Sequence, residues 1–356
     1  MKVVRSIFLY LFTLCFCFQS SFPLSAQVSE LAKRKGAIVH DTNYIETFPD
    51  HITSRIYLSR KFTGIRMEAQ PDDRALDYQP NTTVNLGIGA TVKGFTLNLA
   101  YGFDFLNQNE SRGLTRYLDL QSHFYGRTYA ADLFGQFYFG MYLANSEATL
   151  NFLPDSFYLR PDLSVILLGG SYYRVHSPEK FSYAASLVQN EWQKKSAGSF
   201  LWGGKVLLMG AVSDSSLIPT FSSDSVFDAF AEANRLSSFQ FGPGVGYAHT
   251  FVVDQHWFFT FSLELNIMIG PTQYSGPELV ERSEWQVNPA ADLKFALGYN
   301  SLRSYFGVLY VQNNAQVQSF DESVSAIFSV GNVRLNYVKR FKMGPKLKKT
   351  VNKMPF

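Results

Sequence analysis

The sequence predicts an all-β protein, a transmembrane antiparallel up-and-down β-barrel of about 12 strands, with 14 strands as the alternative. Three observations predict it: long segments that alternate apolar and polar residues, connections that are either tight or long, and an aromatic content of 16%. A membrane barrel turns apolar and aromatic side chains to lipid and keeps polar side chains inside. Because the two faces offset each other, the mean hydropathy of −0.06 fits this architecture.

The first 26 residues resemble a secretory signal peptide. Lys2 and Arg5 precede an apolar run that ends at Phe18, and we expect cleavage near Ala26. Both cysteines of the chain lie in this segment, so we expect a mature chain without disulfides or thiol chemistry. Residues 27–51 are then expected to form an N-terminal periplasmic segment.

The segment HWFFTFSLELNIMIG, residues 256–270, shows the alternation most clearly. It is too short and too polar for a helix that crosses a bilayer. Read with a period of two, Trp257, Phe259 and Leu265 fall on one face and Glu264 and Asn266 on the other. The pattern predicts a strand whose phenylalanines face lipid and whose glutamate faces the lumen.

Residues 52–341 are expected to hold the barrel. A hairpin is predicted from 82–93 and 95–105, with a turn at Lys93 and Gly94, and a second from about 116–125 and 128–142. Most predicted strands contain 10 to 16 residues, more than the five or six usual in soluble sheets. The other predicted strands cover about 52–62, 160–175, 180–190, 198–212, 238–253, 256–270, 284–299, 302–313 and 326–341, and the longer polar loops cover 63–81, 144–159, 214–237 and 271–283.

One long loop carries the signal of a short helix. The stretch DSVFDAFAEANRL places Asp224 before Val226, Phe227 and Phe230 at helical spacing. Such a helix either plugs or covers the lumen, or it packs on the rim of the barrel, and the rim is the simpler expectation.

The segment NVRLNYVKRF is expected to close the barrel. It ends at Phe341, and a terminal strand that ends in an aromatic residue resembles the signal read by the barrel-assembly machinery. Residues 342–356 form a basic tail with five lysines and no acidic residue. Without this tail and the two basic residues of the signal segment, 25 basic and 29 acidic residues remain. The body has no basic face with interleaved aromatics, so we expect no nucleic-acid partner.

Six short segments resemble an uncharacterised, domain-of-unknown-function family of outer-membrane proteins from Bacteroides-type Gram-negative bacteria. They are HDTNYIETFP near residue 40, YQPN at 78, EWQKKSAGS at 191, DSSLIP at 214, LGYNS at 297 and VKRF at 338. The resemblance implies a barrel in the cell outer membrane. It supplies no activity and no catalytic residue.

Polar side chains on the inward faces are the candidate functional residues. Carboxylates close to a histidine can act as an acid and a base, but a narrow barrel fills its interior with ion pairs and hydrogen bonds, so a structural or pore-lining role is favoured. The lumen-lining candidates are Asp119, Gln121, His123, Asp132, Gln136, Glu264, Asn266, Asp292, Lys294 and Arg334.

The sequence contains no G-x-S-x-G nucleophile motif and no HExxH metal motif, and we expect no cofactor and no metal. The favoured function is a non-enzymatic narrow channel or a structural component of the envelope. The alternative is a lipid-modifying barrel enzyme, for which His249 on a lipid-facing stripe is the candidate, although a place in the interfacial girdle is favoured for it. A soluble periplasmic β-sandwich is the third possibility. Expected partners are outer-membrane lipid, the barrel-assembly machinery and, if the lumen conducts, a small polar solute.

Overall fold

Antiparallel pairing of long strands bends one sheet of the protein into a closed barrel. The fold class predicted from the sequence, an all-β antiparallel barrel, is thereby confirmed. No helix among the described residues is long and apolar enough to cross a membrane. The computed structural model describes residues 40–70, 74–92, 95–102, 109–146, 156–219, 227–277, 279, 281–345 and 347–348.

The elements follow one another in a simple order, mostly as hairpins. The strands are β1 (Ile45–Thr47), β2 (His51–Ala69), β3 (Ala75–Gln79), β4 (Val84–Val92), β5 (Phe95–Gly102), β6 (Arg116–Tyr125), β7 (Tyr129–Leu143), β8 (Tyr158–Val175), β9 (Glu191–Gln193), β10 (Ala197–Val212), β11 (Arg235–Val253), β12 (Trp257–Ser275), β13 (Arg282–Asn300), β14 (Ser304–Gln318) and β15 (Val324–Lys342). The helices are α1 (Tyr183–Ser186) and α2 (Asp228–Ala231), with a 3-10 turn at Glu110–Arg112.

Ten strands close the ring: β2, β3, β7, β8 and β10 to β15, with β15 paired to β2 along the full length of both strands. Three more strands are attached to this ring, since β4 pairs with β2, β5 with β4 and β6 with β7. The barrel sheet therefore holds 13 strands among the described residues, against about 12 expected. Two local predictions are wrong, and they offset each other in the count: β3 lies inside the predicted loop 63–81, and the predicted strand 180–190 contains helix α1 instead.

Strands β2 and β7 each change partner part-way along, which lets the short strand β3 complete the ring. The first half of β2 pairs with β4 and residues Ile65–Glu68 pair with β3. In β7 the ladder is irregular between Phe139 and Met141. Gly140 between them has φ of 84°, and a Cβ there would lie 2.5 Å from the carbonyl oxygen of Leu114. Only glycine fits both the backbone conformation and the close approach.

Side chains alternate across the barrel wall as the period of two predicts. On β12, Leu265 and Ile267 are 52% and 68% exposed on the outside, while Ser262 and Glu264 are fully buried inside. The same outward exposure recurs around the barrel at Ile88, Leu120, Tyr172, Phe200, Trp202, Val245, Phe251, Trp257, Leu297, Phe306 and Tyr337. We call these exposed large apolar side chains, together with Leu265 and Ile267, the outer belt.

The end of the barrel where β2 begins and β15 ends is called here the terminal end, and the opposite end the loop end. An apolar cluster fills the loop end with inward side chains from many strands, among them Leu163, Met209 and Met268. Helix α2 joins it, because Phe227 and Phe230 are buried in the cluster. The helix covers the loop end of the lumen: its aromatic side chains enter the cluster, while Asp228 and Glu232 are exposed.

The contact of α2 with the wall is direct. The Phe230 ring packs edge-on against Tyr274 of β12 at 5.2 Å between centroids, and the Tyr78 hydroxyl of β3 donates to the carbonyl oxygen of Leu217 at 2.8 Å. Asp224 and Val226, with which the predicted helix begins, lie outside the described residues.

At the terminal end, residues 176–196 between β8 and β10 turn into the barrel; we call this segment the plug. Ser182 immediately precedes α1 and is its N-cap. The Ser182 side chain accepts a hydrogen bond from the backbone N–H of Ala185. Every residue of α1 is buried. Its strand β9 pairs with β1, so Ile45 lies opposite Gln193 and the N-terminal segment is fastened to the plug.

Several predictions fall outside the described residues: the signal peptide at 1–26, the turn at Lys93 and Gly94, and residues 349–356 of the basic tail. The described start of the tail touches the barrel, because Lys348 forms an ion pair with Asp50 at 2.7 Å. The hydrogen bond from Lys348 lowers the pKa of the Asp50 carboxyl below its ordinary value.

Candidate functional site in the barrel lumen

A cluster of buried charges lies in the lumen between the loop-end cluster and the plug. The Lys294 ammonium of β13 is 3.1 Å from a carboxylate oxygen of Asp132 on β7 and 3.4 Å from one of Glu264 on β12. Because β7 and β13 are not neighbours in the ring, the Lys294–Asp132 ion pair crosses the lumen. The Lys294 and Glu264 side chains are at most 1% exposed.

Hydrogen bonds surround both carboxylates of this cluster. Asp132 accepts from the Tyr125 hydroxyl at 2.7 Å and lies 2.6 Å from Nδ1 of His123. Glu264 accepts from Ser262 at 2.6 Å. Buried ion pairs are tolerated when such bonds satisfy the remaining lone pairs, although Oε2 of Glu264 has no protein partner.

A second buried ion pair shares strand β13 with the first. Lys205 of β10 is paired with Asp292 of β13, and both side chains are 1% exposed. Asn266, on the same face of β12 as Glu264, accepts a hydrogen bond from the Tyr173 hydroxyl at 2.7 Å. The lumen is thus crosslinked by contacts between β8, β10, β12 and β13.

The third group is centred on Asp119 of β6. Its carboxylate is 2.9 Å from the Lys61 ammonium and accepts from the Tyr138 hydroxyl at 2.8 Å. The Gln136 and Gln121 amides donate to the same carboxylate at 3.2 and 3.4 Å. These bonds tie β6, which lies outside the closed ring, to β2 and β7.

The structure places nine of the ten lumen-lining candidates in these three groups. Arg334 lies apart from them: its guanidinium sits over the Tyr57 ring at 4.7 Å from the centroid. The cation partners Lys205 and Lys61 were missed by sequence reasoning. The signal was present for Lys205, because it shares its strand face with the inward-facing Leu207 and Met209.

Tyr183, in α1 of the plug, was also missed because its segment was expected to be a strand of the wall. Its hydroxyl donates to Glu264 at 2.7 Å. Burial, reinforced by the nearby Glu264 carboxylate, raises the pKa of the Tyr183 hydroxyl well above its ordinary value. The tyrosine is therefore a neutral donor, and it joins the plug to the charge cluster.

Inward side chains of the wall also hold the plug by its backbone. Four of them, from four different strands, donate hydrogen bonds to plug carbonyl groups: Arg55 to Val188 at 3.0 Å, Arg340 to Gln189 at 2.7 Å, Tyr305 to Ser186 at 3.2 Å, and Asn300 to Glu191 at 3.1 Å and to Ala185 at 3.4 Å. A buried carbonyl group without a partner would cost free energy. The wall supplies those partners, so plug and wall are chemically matched.

A tight turn of the wall holds the plug from outside. The indole of Trp192 donates to the carbonyl oxygen of Gln255 at 2.7 Å and stacks on the His256 ring at 5.0 Å between centroids. Residues 254–256 connect β11 to β12. Asp254 and Gln255 have φ of 51° and 63°, and the backbone N–H of His256 donates to the carbonyl oxygen of Val253 at 3.1 Å. Two consecutive residues with positive φ are what a type I′ turn requires.

The space left beside the charge cluster is small. A cavity of about 20 Å³ is lined by Gln121, His123 and Asp132 together with side chains of β14 and β15. This volume is enough for about one water molecule.

On the outer wall, His249 contacts aromatic side chains. Nδ1 of His249 is 3.1 Å from the Tyr247 hydroxyl, and its ring lies 4.3 Å from that of Phe251. Across the described part of the chain, no serine hydroxyl is hydrogen-bonded to a histidine ring. Within the same residues, no group of three or more His, Cys, Asp or Glu side chains is arranged to hold a metal ion.

Residues 39–341 match a sequence family described as a domain of unknown function, DUF4421. The chain belongs to this family. Its matched region begins just before β1 and ends at Phe341, so the DUF4421 domain includes the barrel, the plug and the segment paired with it. No curated protein matches the chain.

The barrel is similar to solved outer-membrane barrels at low sequence identity. The outer membrane protease OmpT from Escherichia coli is 8% identical with a TM-score of 0.36, over 83% of this chain and 98% of that one. The toluene transporter TodX from P. putida is 9% identical with a TM-score of 0.29, over 83% and 92%. The attachment invasion locus protein Ail of Yersinia pestis is 10% identical with a TM-score of 0.17, over 82% and 99%.

Proposed function

We propose that this DUF4421 protein is a non-enzymatic structural component of the outer membrane whose barrel is closed at rest. The observation that carries the proposal is the filled lumen: a chain segment occupies one end, an apolar cluster the other, and ion pairs the space between. A resting barrel built this way offers no continuous water path.

The outer belt supports the membrane location. Side chains such as Phe200, Val245 and Ile267 are 65% to 68% exposed, and they recur on strands all around the ring. Soluble monomers rarely expose contiguous apolar patches larger than a few hundred Å². Lipid around the belt removes this surface from water, which makes outer-membrane lipid the expected partner.

The orientation follows from the connections. Turns such as 254–256 and 301–303 are short at the terminal end, whereas the loop end carries 144–157 and 213–234. Outer-membrane barrels keep short turns on the periplasmic side and longer loops outside. We therefore assign the plug to the periplasmic end, which puts Phe341 where the barrel-assembly machinery would read it. The sequence resemblance supports a Bacteroides-type host.

A narrow channel for small polar solutes is the second candidate, because the middle of the lumen is lined by charged residues of both signs. In that case the plug has to move before the barrel conducts. A lipid-modifying enzyme is not favoured, since His249 contacts a tyrosine and aromatic rings and no serine hydroxyl.

Conductance and labelling test the closed lumen together. The chain has no cysteine after residue 17, so single-cysteine variants of the mature protein report one site each. Ser262→Cys places the thiol in the lumen, and Ser283→Cys is the exposed control near the loop end. We expect a silent wild-type barrel in planar bilayers, with a heat-modifiable gel shift that confirms folding, and slow labelling at residue 262 by a water-soluble thiol reagent.

Replacing residues 178–194 by a short Gly-Ser linker supplies the positive control. Val175 of β8 lies opposite Leu201 of β10, so a short linker can join the two strands. In this variant we expect Ser262→Cys to label nearly as fast as Ser283→Cys. Discrete openings of the wild-type protein, or fast labelling at 262 with the plug intact, would contradict the closed barrel and favour the channel.

A further inference from the structure

Three arginines form an unbalanced group of positive charge at the plugged end. Arg55 on β2 and Arg334 and Arg340 on β15 all project inward, from strands that are neighbours in the ring. Arg55 and Arg340 are only 3% and 4% exposed. Inside the barrel wall, each is removed from most of the water that would solvate its charge.

None of the three forms an ion pair with a carboxylate in the described part of the chain. Neutral groups hold them instead: Arg55 donates to the Thr91 hydroxyl and a plug carbonyl, and Arg340 to the Asn300 side chain and to carbonyls. Their three Nε atoms are buried without a partner. Buried charges in proteins are normally paired, because leaving one uncompensated is strongly unfavourable.

The plug shows that Arg55 and Arg340 lie side by side. Their guanidinium groups donate to the carbonyl oxygens of consecutive residues, Val188 and Gln189. The strand register agrees, because Arg340 lies opposite Thr53, two residues before Arg55 on the same face of β2. Two like charges this close repel each other, which adds to the demand for a counter-ion.

A pocket of about 270 Å³ lies next to this pair, between the plug and the wall. Thr53, Thr91, His51 and Asn190 line it. The Thr91 hydroxyl already contacts Arg55, and Arg340 lies 4.1 Å above the ring of Phe48, another lining residue. Nδ1 of His51 and Oδ1 of Asn190 are buried without a hydrogen-bond partner.

The one carboxylate that lines the pocket is already neutralised. Glu191 forms an ion pair with Arg127 through one oxygen and accepts the Ser182 hydroxyl through the other. It therefore leaves the arginine charge uncompensated. The pocket combines hydroxyl groups, an imidazole and adjacent guanidinium groups, which are the donors that oxoanions prefer.

We propose that this pocket binds a small oxoanion of the phosphate or carboxylate class. Thr53, Thr91 and His51 line it, and the Arg55 and Arg340 charges lie directly behind the lining residues Thr91 and Phe48. The anion would lie between plug and wall and hold them together. Since the lining residues belong to the inner wall, the plug and the N-terminal segment beside it, the source is a soluble anion and not a lipid headgroup. The proposal does not depend on whether the barrel conducts.

The test measures anion binding to the full-length barrel in a zwitterionic detergent. Calorimetric titration with sodium phosphate and with sodium acetate is compared with sodium chloride at equal ionic strength. We expect saturable binding of phosphate or acetate, and a higher unfolding midpoint than in chloride. Arg55→Gln should weaken the binding about tenfold or more, because it removes the positive charge behind the lining Thr91 hydroxyl. Arg282→Gln, at an exposed arginine of the loop end, should leave the binding unchanged.

A second variant keeps the test decisive if Arg55→Gln does not fold. Asn190→Asp changes one atom of a pocket side chain and supplies an internal counter-charge next to the arginines. We expect it to raise the unfolding midpoint without phosphate and to abolish the response to phosphate. Binding that is indistinguishable from chloride, an Asn190→Asp barrel that still responds, or protection by phosphatidylglycerol vesicles without any effect of free phosphate would overturn the proposal.

Discussion

Replacing Lys294 with methionine tests whether the charge cluster is a cooperative unit of the fold. The substitution keeps the length of the side chain and removes the cation that lies 3.1 Å from Asp132 and 3.4 Å from Glu264. Both carboxylates stay buried. Removing one partner of a buried ion pair typically destabilises a protein by about 3–5 kcal/mol, and here two acids lose the same partner.

The control is a cation with the same kind of contact on the outer surface. Arg66 lies 2.6 Å from Glu68, but their side chains are 49% and 31% exposed. Exposed pairs contribute about 0–1 kcal/mol, so Arg66→Met should change the free energy of unfolding by no more than that. The difference between the two variants isolates the effect of burial.

The assay is guanidinium unfolding of the barrel in lipid vesicles, followed by tryptophan fluorescence and by the heat-modifiable gel shift. A second substitution sharpens the interpretation, because Glu264→Gln in the Lys294→Met background removes a charge and keeps an acceptor for Tyr183 and Ser262. We expect it to restore at least about 1 kcal/mol, as coupled neighbours do. A loss below about 1 kcal/mol in Lys294→Met, or no recovery in the double variant, would refute a buried ionic cluster.

Three further variants test the plug, the loop-end cluster and the outer belt. Tyr183→Phe removes the hydroxyl that donates to Glu264. We expect the free energy of unfolding to fall by about 1.5–3 kcal/mol and trypsin to cleave the plug faster. Unchanged cleavage would count against the contact. Phe230→Ala should lower the free energy of unfolding by about 3–5 kcal/mol through the cavity it leaves, whereas a helix on the rim would lose far less. Leu265→Arg, in the middle of β12, should cost about 2–4 kcal/mol in a bilayer, and Leu302→Arg in a terminal-end turn close to none; equal effects would argue against a lipid-facing belt.

Strand positions were predictable because one simple rule governs them. The wall has lipid on one side and a polar lumen on the other, so each strand carries an alternation that survives without knowledge of its neighbours. The predicted strand 256–270 agrees with β12 in position and in facing, with Leu265 outside and Glu264 inside. The inward position of Arg334 followed from the same rule.

The plug was not predictable by that rule. The plug places apolar residues at every second position, as a strand does: Phe181, Tyr183, Ala185 and Leu187. Inside a barrel, however, both faces of a segment are covered, so this spacing does not distinguish a strand from a helix. All four are buried. The informative signal was local: Ser182 caps the turn that follows it, and capping is compatible with a helix and not with a strand.

The pairing of inward residues across the lumen could not be predicted from the sequence, for a different reason. Lys205 and Asp292 are 87 residues apart and meet only because the ring places β10 and β13 on facing parts of the wall. Alternation gives the face of each residue, but it does not give the order and stagger of the strands that decide which inward residues touch. Inward charges were therefore predicted as a set, without their pairing.

The filled lumen explains why so many polar groups can be buried in one narrow barrel. The acids of the middle layer are matched by Lys294, Lys205 and Lys61, each at hydrogen-bonding distance from a carboxylate. The carbonyl groups of the plug are matched by donors from the inner wall, among them Tyr305. Wall and plug each carry groups that only the other satisfies, so a conformation without the plug would need water at every one of these sites. In the proposed closed barrel, moving the plug out would therefore require hydration of the Tyr183–Glu264 contact together with the arginine–carbonyl contacts.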